Sequence, residues 1–245
     1  MNPVCLITGA AGGIGAATAR LLASRGARLV VADRDAEGLA AVAAELSPRT
    51  EVLARIIDLT VEAEVDALVE AAVTTFGGLD QVSLTAGMES PHGTLEELSL
   101  ADYERVMAVN ATSAFLCLKA VLPHMKRAGR GSIVSTASIA GLAAVPGQGV
   151  YSAAKHAMIG LTRAAAVEAG AFGVRVNAVL PGPIDTGMVT RIRAGSASTP
   201  VGGGTLLGRM GTPAEAAAVI AFLLSDGAAF VTNSYWTADG GRHQI

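Results

Sequence analysis

Tyr151 and Lys155, in the segment Tyr151-Ser152-Ala153-Ala154-Lys155, place a phenol and an ammonium one helical turn apart. Side chains four residues apart share a helix face, so the two can act on one bound molecule. A tyrosine ordinarily titrates at about 10. A neighbouring positive charge favours the phenolate, so Lys155 is expected to lower the Tyr151 pKa. The pair would then serve as a general acid and base close to neutral pH.

A second group of residues suits phosphate. Thr8-Gly9-Ala10-Ala11-Gly12-Gly13-Ile14-Gly15 joins a short apolar run to an Ala-rich amphipathic one. Glycines let the chain turn tightly and approach a pyrophosphate, and a helix N-terminus offers unpaired amides and the positive end of a dipole. The spacing differs from the common G-x-G-x-x-G pattern. No Lys-Ser or Lys-Thr comes after it, which argues against nucleoside triphosphate hydrolysis. Asp33 closes the next apolar run, about 20 residues beyond the glycines. A carboxylate there accepts hydrogen bonds from both adenosine ribose hydroxyls and repels a 2′-phosphate, which favours NAD over NADP. The adjacent Arg34 is a guanidinium able to bind such a phosphate. Gly12 supplies no second basic residue, so Asp33 decides the expectation. The other reading of Asp33 is an ordinary N-cap for the next helix.

Those residues need a frame to bring them together. Apolar runs at Val4–Thr8, Arg28–Ala32, Glu51–Ile57, Leu79–Leu84, Gly131–Thr136, Val174–Val179 and Tyr235–Ala238 read as strands. Between them Gly13–Ser24, Ala36–Leu46, Val61–Phe76, Leu100–Ala128, Val150–Phe172 and Pro213–Leu224 read as helices. This alternation predicts an α/β fold, a Rossmann-type doubly wound parallel sheet of about seven strands with helices on both faces. The strands lack polar alternation, as expected of strands buried on both sides. With no repeat or linker, residues 1–245 read as a single dinucleotide-binding and catalytic domain. Gly182–Thr212 breaks the rhythm. It is rich in Gly, Ser, Thr and Pro and contains Gly202-Gly203-Gly204. Long irregular stretches in compact domains are usually functional or disordered, and this one comes after a strand end, so it reads as a substrate lid in preference to plain disorder.

Composition excludes several classes. Half of the 245 residues are apolar but only 4% aromatic, which suits small side chains packed closely between helices and sheet. A formal charge of −3 gives no electrostatic case for nucleic acid or an anionic membrane. The first 19 residues carry no charge. Even so, their apolar run is short, no basic residue precedes it and glycines interrupt the residues after it, so it does not read as a signal peptide. No stretch offers about 20 strongly apolar residues for a membrane span. Cys5 and Cys117 lie in apolar segments without metal-ligand spacing and read as buried thiols in a reducing, cytoplasmic compartment. The four histidines are scattered, so no metal site is expected.

Taken together these segments resemble the short-chain dehydrogenase/reductase family along essentially the whole chain. Thr8 to Gly15 matches its Thr-Gly-x-x-x-Gly-x-Gly turn, and Asp58, with Leu59 next to it, matches its aspartate beside the adenine ring. Asn110 lies in Val109-Asn110-Ala111, and Ser138 stands 13 residues before Tyr151. Pro181-Gly182-Pro183-Ile184-Asp185-Thr186 is similar to the Pro-Gly segment at the nicotinamide end. One departure is Leu84-Thr85-Ala86-Gly87, where the family usually has Asn-Asn-Ala-Gly. Ala86 and Gly87 still permit close approach to the cofactor, but the missing amides put a tether between sheet and helix in doubt.

The resemblance implies a mechanism. Tyr151 takes the hydroxyl proton as hydride leaves the substrate carbon, or returns it in reduction. Lys155 lowers the tyrosine pKa and holds the nicotinamide ribose, Ser138 hydrogen-bonds the reacting oxygen, and Asn110 fixes a water linking Lys155 to solvent. It also implies a homotetramer, joined through Leu100–Ala128 and Val150–Phe172 and again through Tyr235–Ile245. The substrate pocket would draw on Met88, Ile139, Ala140, Gln148, Met188 and Ile192, with Arg191 and Arg193 within reach. That lining points to an uncharged, fairly hydrophobic secondary alcohol or ketone, cyclic in the simplest case. Two other functions share the frame: a 3-oxoacyl-[acyl-carrier-protein] reductase using NADPH, and a non-catalytic dinucleotide-binding regulator. Asp33 and the negative charge weigh against the first, and the presence of all four catalytic residue types against the second.

Overall fold

The computed structural model describes residues 2–187 and 204–244. Seven parallel strands form one sheet in the order β3-β2-β1-β4-β5-β6-β7. They are β1 (Val4–Thr8), β2 (Arg28–Asp33), β3 (Val52–Ile56), β4 (Gln81–Leu84), β5 (Gly131–Thr136), β6 (Val174–Pro181) and β7 (Tyr235–Ala238). The order reverses between β1 and β4, the switch point at which sheets of this kind open a crevice beyond their carboxyl ends.

Helices cover both faces. Cys5, Ile7, Leu29, Val31, Val134 and Val179 face α1 (Gly13–Ser24), α2 (Ala36–Leu46) and α7 (Pro213–Leu224). Leu6, Val30, Val82, Ile133 and Val176 face α3 (Glu62–Phe76), α5 (Ser113–Ala128) and α6 (Gly149–Ala169). Successive strand residues point to opposite faces, so continuous apolar runs supply both layers. Two strands depart from that pattern. β3 and β7 are the sheet edges, and Ile56 is 63% and Tyr235 46% exposed. An edge strand has a neighbour on one side only, so its outer flank stays in water.

Helix starts are set by local chemistry. Asp35 caps α2, and reciprocal Ser99–Asp102 and Thr212–Glu215 boxes open α4 (Leu100–Met107) and α7. The expected single helix Leu100–Ala128 is instead two, α4 and α5, separated by a π-helical turn at Ala108–Thr112. By length and composition the whole run is apolar enough to cross a membrane, but half of its most apolar window is buried inside the fold. It is a core element.

Register sets the functional edge. Thr8 pairs with Leu84, Leu84 with Ser135, and Thr136 with Val179. The loops leaving β1, β4, β5 and β6 therefore emerge side by side.

Candidate active site

The turn after β1 is shaped by close backbone approach. Gly9 has φ +66°, and a Cβ there would lie 2.7 Å from Ala86 Cα, so the β1 and β4 loops touch main chain to main chain. A Cβ on Gly15 would strike the Gly9 carbonyl oxygen, and one on Gly13 would lie 2.8 Å from Thr186 Cγ2. The glycine turn thus contacts the segment after β6. Helix α1 begins at Gly12 with no side-chain cap and no acidic residue in its first turn, leaving its amides and dipole for an anion. These features fit a dinucleotide's pyrophosphate.

Asp33 is not the helix N-cap; Asp35 is. Asp33 accepts from the Ala11 amide at 2.9 Å and the Asp35 amide at 3.0 Å, which fixes its carboxylate against the glycine turn. Asp58 is exposed and accepts from the Thr60 amide at 2.9 Å and hydroxyl at 2.7 Å. Those bonds, with the Arg34 charge as a smaller influence, hold its carboxyl below the usual range. Arg34 thus acts electrostatically on Asp58. Leu59 is buried and shares a small void with Thr8, Leu84 and Ala86.

At the position of the missing amides, the bonds run between the β1 and β4 ends of the sheet. Thr8 Oγ1 accepts from the Thr85 amide at 3.1 Å and the Ala86 amide at 3.4 Å. The Ser83 and Thr85 hydroxyls pair at 2.8 Å. A buried hydroxyl on β1 thus holds the β4 loop.

Beyond that loop Asn110 is fully buried in the π turn. Its Nδ2 donates to Met88 O and to Val106 O, both at 3.0 Å, and its Oδ1 accepts from the Met88 amide at 3.2 Å. The π turn redirects one side chain that a regular helix would keep on its own face. Gly87 lies between two of the expected residues: a Cβ there would be 2.9 Å from Asn110 Oδ1 and 3.3 Å from Lys155 Nζ. No side chain fits, so Asn110, Gly87 and Lys155 form one cluster.

Tyr151 and Lys155 both lie on α6, with Lys155 Nζ 5.5 Å from the Tyr151 ring centroid. Lys155 is 3% exposed and donates to Thr136 O at 3.1 Å. Burial pushes its pKa down to about 8. Tyr151 differs from expectation: its pKa goes up, to about 12. Desolvation of the phenolate is the largest cause, a hydrogen bond with Ser138 pulls the other way, and the Glu89 carboxylate adds a further upward push. Lys155 directs its ammonium to a backbone carbonyl, so its charge does not overcome the burial. In the protein by itself the phenol is held in its acid form.

Ser138 caps a short 3₁₀ turn, Ile139–Gly141, by accepting from the Ala140 amide at 3.1 Å. Ala140 is 2% exposed, so it serves the cluster through its backbone, and its methyl is not part of an open pocket wall as expected. Gln148 precedes α6 and pairs with Gly93 in a parallel bridge, while the Gly93 amide donates to Gly147 O at 3.0 Å. The loop after β4 is thereby held against the chain entering Tyr151, and its Met88 is half-buried. Pro181 ends β6, Gly182 and Ile184 come after it, and Ile184 bridges to Gly211, closing the base of the irregular segment. Met188, Arg191, Ile192 and Arg193, and with them most of the expected lid, lie outside the described residues.

Sequence reasoning misses Thr8 as a tether and Glu89 altogether. Thr8 reads only as the start of a glycine motif, and no local pattern signals that its hydroxyl serves another strand. Glu89 has a signal, as the carboxylate two residues beyond Gly87.

Comparison with known proteins agrees with this geometry. A family model described as Enoyl-(Acyl carrier protein) reductase matches residues 9–243. The cis-4-hydroxycyclohexanecarboxylate dehydrogenase of Sinomonas cyclohexanicum is 44% identical over 239 residues, 97% of this chain and 95% of that one. The cyclohexanol dehydrogenase of an Acinetobacter species is 41% identical over 242 residues, 98% of this chain and 94% of that one. A solved structure of ElxO with NADP bound matches at a TM-score of 0.93 and 29% identity, covering all of both chains.

Proposed function

The chain belongs to the short-chain dehydrogenase/reductase family and is an alcohol/ketone oxidoreductase that uses a nicotinamide dinucleotide; within that class we propose that it acts on an uncharged, cyclic secondary alcohol or ketone and prefers NAD to NADP. The observation that carries the reading is the cluster of Ser138, Tyr151 and Lys155 beside Gly87, walled by the β4 loop. Support for a cyclic substrate comes from the relatives, named for hydroxylated cyclohexane rings. Support for an uncharged one comes from Met88, an apolar, half-buried side chain on the loop after β4.

The dinucleotide, when bound, supplies the hydride acceptor or donor. Gly9, Gly12, Gly13, Ile14 and Gly15 would receive its pyrophosphate; Asp33 and Arg34 would face its adenosine ribose; Asp58 and Leu59 would border the adenine. Ala86, Gly87, Pro181, Gly182, Ile184 and Thr186 would line the nicotinamide end. Tyr151 exchanges a proton at its phenolic oxygen with the substrate oxygen. Ser138 donates a hydrogen bond to that same oxygen as negative charge develops on it. Lys155 would keep a positive charge beside the phenol, and Asn110 would fix a water linking the Lys155 ammonium to solvent. Held in its acid form, Tyr151 is set to donate in ketone reduction.

The NAD preference rests on Asp33, anchored by two backbone amides and therefore unable to swing away from a 2′-phosphate. Comparing kcat/KM for the two cofactors tests it: NAD should be favoured in the parent, and Asp33→Asn should narrow the ratio by at least ~10-fold, the scale of one lost charge contact. An NADP preference in the parent would overturn it.

The chain is further proposed to work as one domain, with Gly182–Thr212 covering the substrate side, and to reside in the cytoplasm. Cys5 and Cys117 are buried free thiols, as suits a reducing compartment. A homotetramer is proposed because Phe115 on α5, Val167 on α6 and Trp236 on β7 are apolar and exposed, at 47%, 74% and 38%. Light scattering at micromolar concentration should show four subunits; a stable monomer would refute it.

A further inference from the structure

The chain's last turn is held by one buried carboxylate. β7 ends at Ala238, whose carbonyl accepts from the Gly182 amide at 3.1 Å. Asp239 comes next and is 6% exposed. Its Oδ1 accepts from the Gly241 amide at 3.0 Å, and its Oδ2 from the His243 amide at 2.9 Å and His243 Nδ1 at 2.7 Å. Burial alone would raise the Asp239 pKa, but the bonds from His243 and Gly241 outweigh it and hold the carboxyl below its usual range. The carboxylate stays ionised and the turn stays closed.

Two segments at the reactive edge rest on this turn. A Cβ on Gly182 would lie 2.7 Å from both Cα and Cβ of Asp239, so the end of β6 packs directly on it. On the other side the chain returning from the irregular segment lies across Gly240 and Gly241. The Leu207 amide donates to Gly240 O at 3.3 Å. A Cβ on Gly240 would meet Thr205 Cβ at 3.1 Å, and one on Gly241 would meet Leu206 Cδ1 at 2.7 Å. Both glycines have positive φ, +61° and +83°, a left-handed backbone that glycine adopts freely and other residues rarely.

We propose that Asp239 is a positioning residue: by gripping Gly241 and His243 it fixes the C-terminal turn as a common seat for Pro181–Gly182 and for the returning arm Gly204–Leu207. This rests on the proposed function only in taking those segments to border nicotinamide and substrate. The grip itself is independent of that reading. A residue that merely stabilised the fold would lower the melting temperature and leave substrate kinetics alone. A positioning residue alters kinetics at the substrate end while sparing the glycine turn.

The test compares Asp239→Asn, His243→Gln and the double variant. Hydrogen exchange over residues 204–211 should be faster in each single variant by about tenfold, the scale of one hydrogen bond to a charged group. kcat/KM for a cyclic ketone should fall by a similar ~10-fold factor, while the NAD dissociation constant changes less than about twofold. Because both residues form one grip, the double variant should be no worse than Asp239→Asn alone. Unchanged exchange at 204–211 in His243→Gln, which leaves Asp239 in place to support folding, would overturn the proposal, as would additive effects. Exchange is read without turnover, so an inactive parent would refute the proposed substrate and leave the grip measurable.

Discussion

Replacing Lys155 by methionine should remove a pH dependence of folding that the buried ammonium imposes. Lys155 is 3% exposed, and burial lowers its pKa from 10.5 to about 8. Between those values the unfolded chain holds the proton and the folded chain has released it. Stability rises with pH wherever the unfolded state binds more protons, so Lys155 makes the fold more stable as pH climbs from about 8 to 10.5. A pKa change of ~2.5, at about 1.4 kcal/mol for each unit, amounts to about 3 kcal/mol. Below pH 8 both states are charged and the full penalty applies. Methionine keeps length and removes the charge, at the cost of the bond to Thr136 O, a loss of about 1–3 kcal/mol for a buried acceptor left unmatched. That loss is nearly independent of pH; the slope is not. Cys5, Cys117 and Tyr151, whose pKa values are raised by burial, act oppositely above pH 9, but they are common to both proteins and cancel in the difference. Reversible urea unfolding from pH 7.5 to 10 should show the parent gaining on Lys155→Met by roughly 1.4 kcal/mol per pH unit above pH 8. A difference flat to within about 0.5 kcal/mol across that range would refute the account of a desolvated ammonium.

Tyr151→Phe should keep the fold and dinucleotide binding but lower turnover by ~10²–10⁴-fold. In the parent, alcohol oxidation should rise with pH because the phenolate accepts the proton; a Phe variant at near-parental rate would show that the phenol is not the acid/base. Thr8→Val should leave the Thr85 and Ala86 amides without their acceptor and destabilise the protein by about 1–3 kcal/mol in urea unfolding. A loss below about 0.3 kcal/mol would mean that the β1 hydroxyl is not the tether.

The elements and their order were legible in the sequence because they depend on local periodicity. Apolar runs bounded by Gly and polar caps define β1, β5, α1 and α7 to the residue, since capping and strand burial act over a few neighbours. The clustering of Ser138, Tyr151 and Lys155 was legible for the same reason, being set by short spacings just after β5 and along α6. What the tertiary structure decided lies between elements distant in sequence. The π turn that buries Asn110 against Met88 requires the β4 loop beside it, and the tether from Thr8 to Thr85 spans 77 residues. The direction of the Tyr151 shift was out of reach for a further reason. A neighbouring charge can be read from a four-residue spacing, but desolvation sums over every atom packed around the phenol. Here that sum, with Glu89 included, outweighs the charge that the spacing made visible.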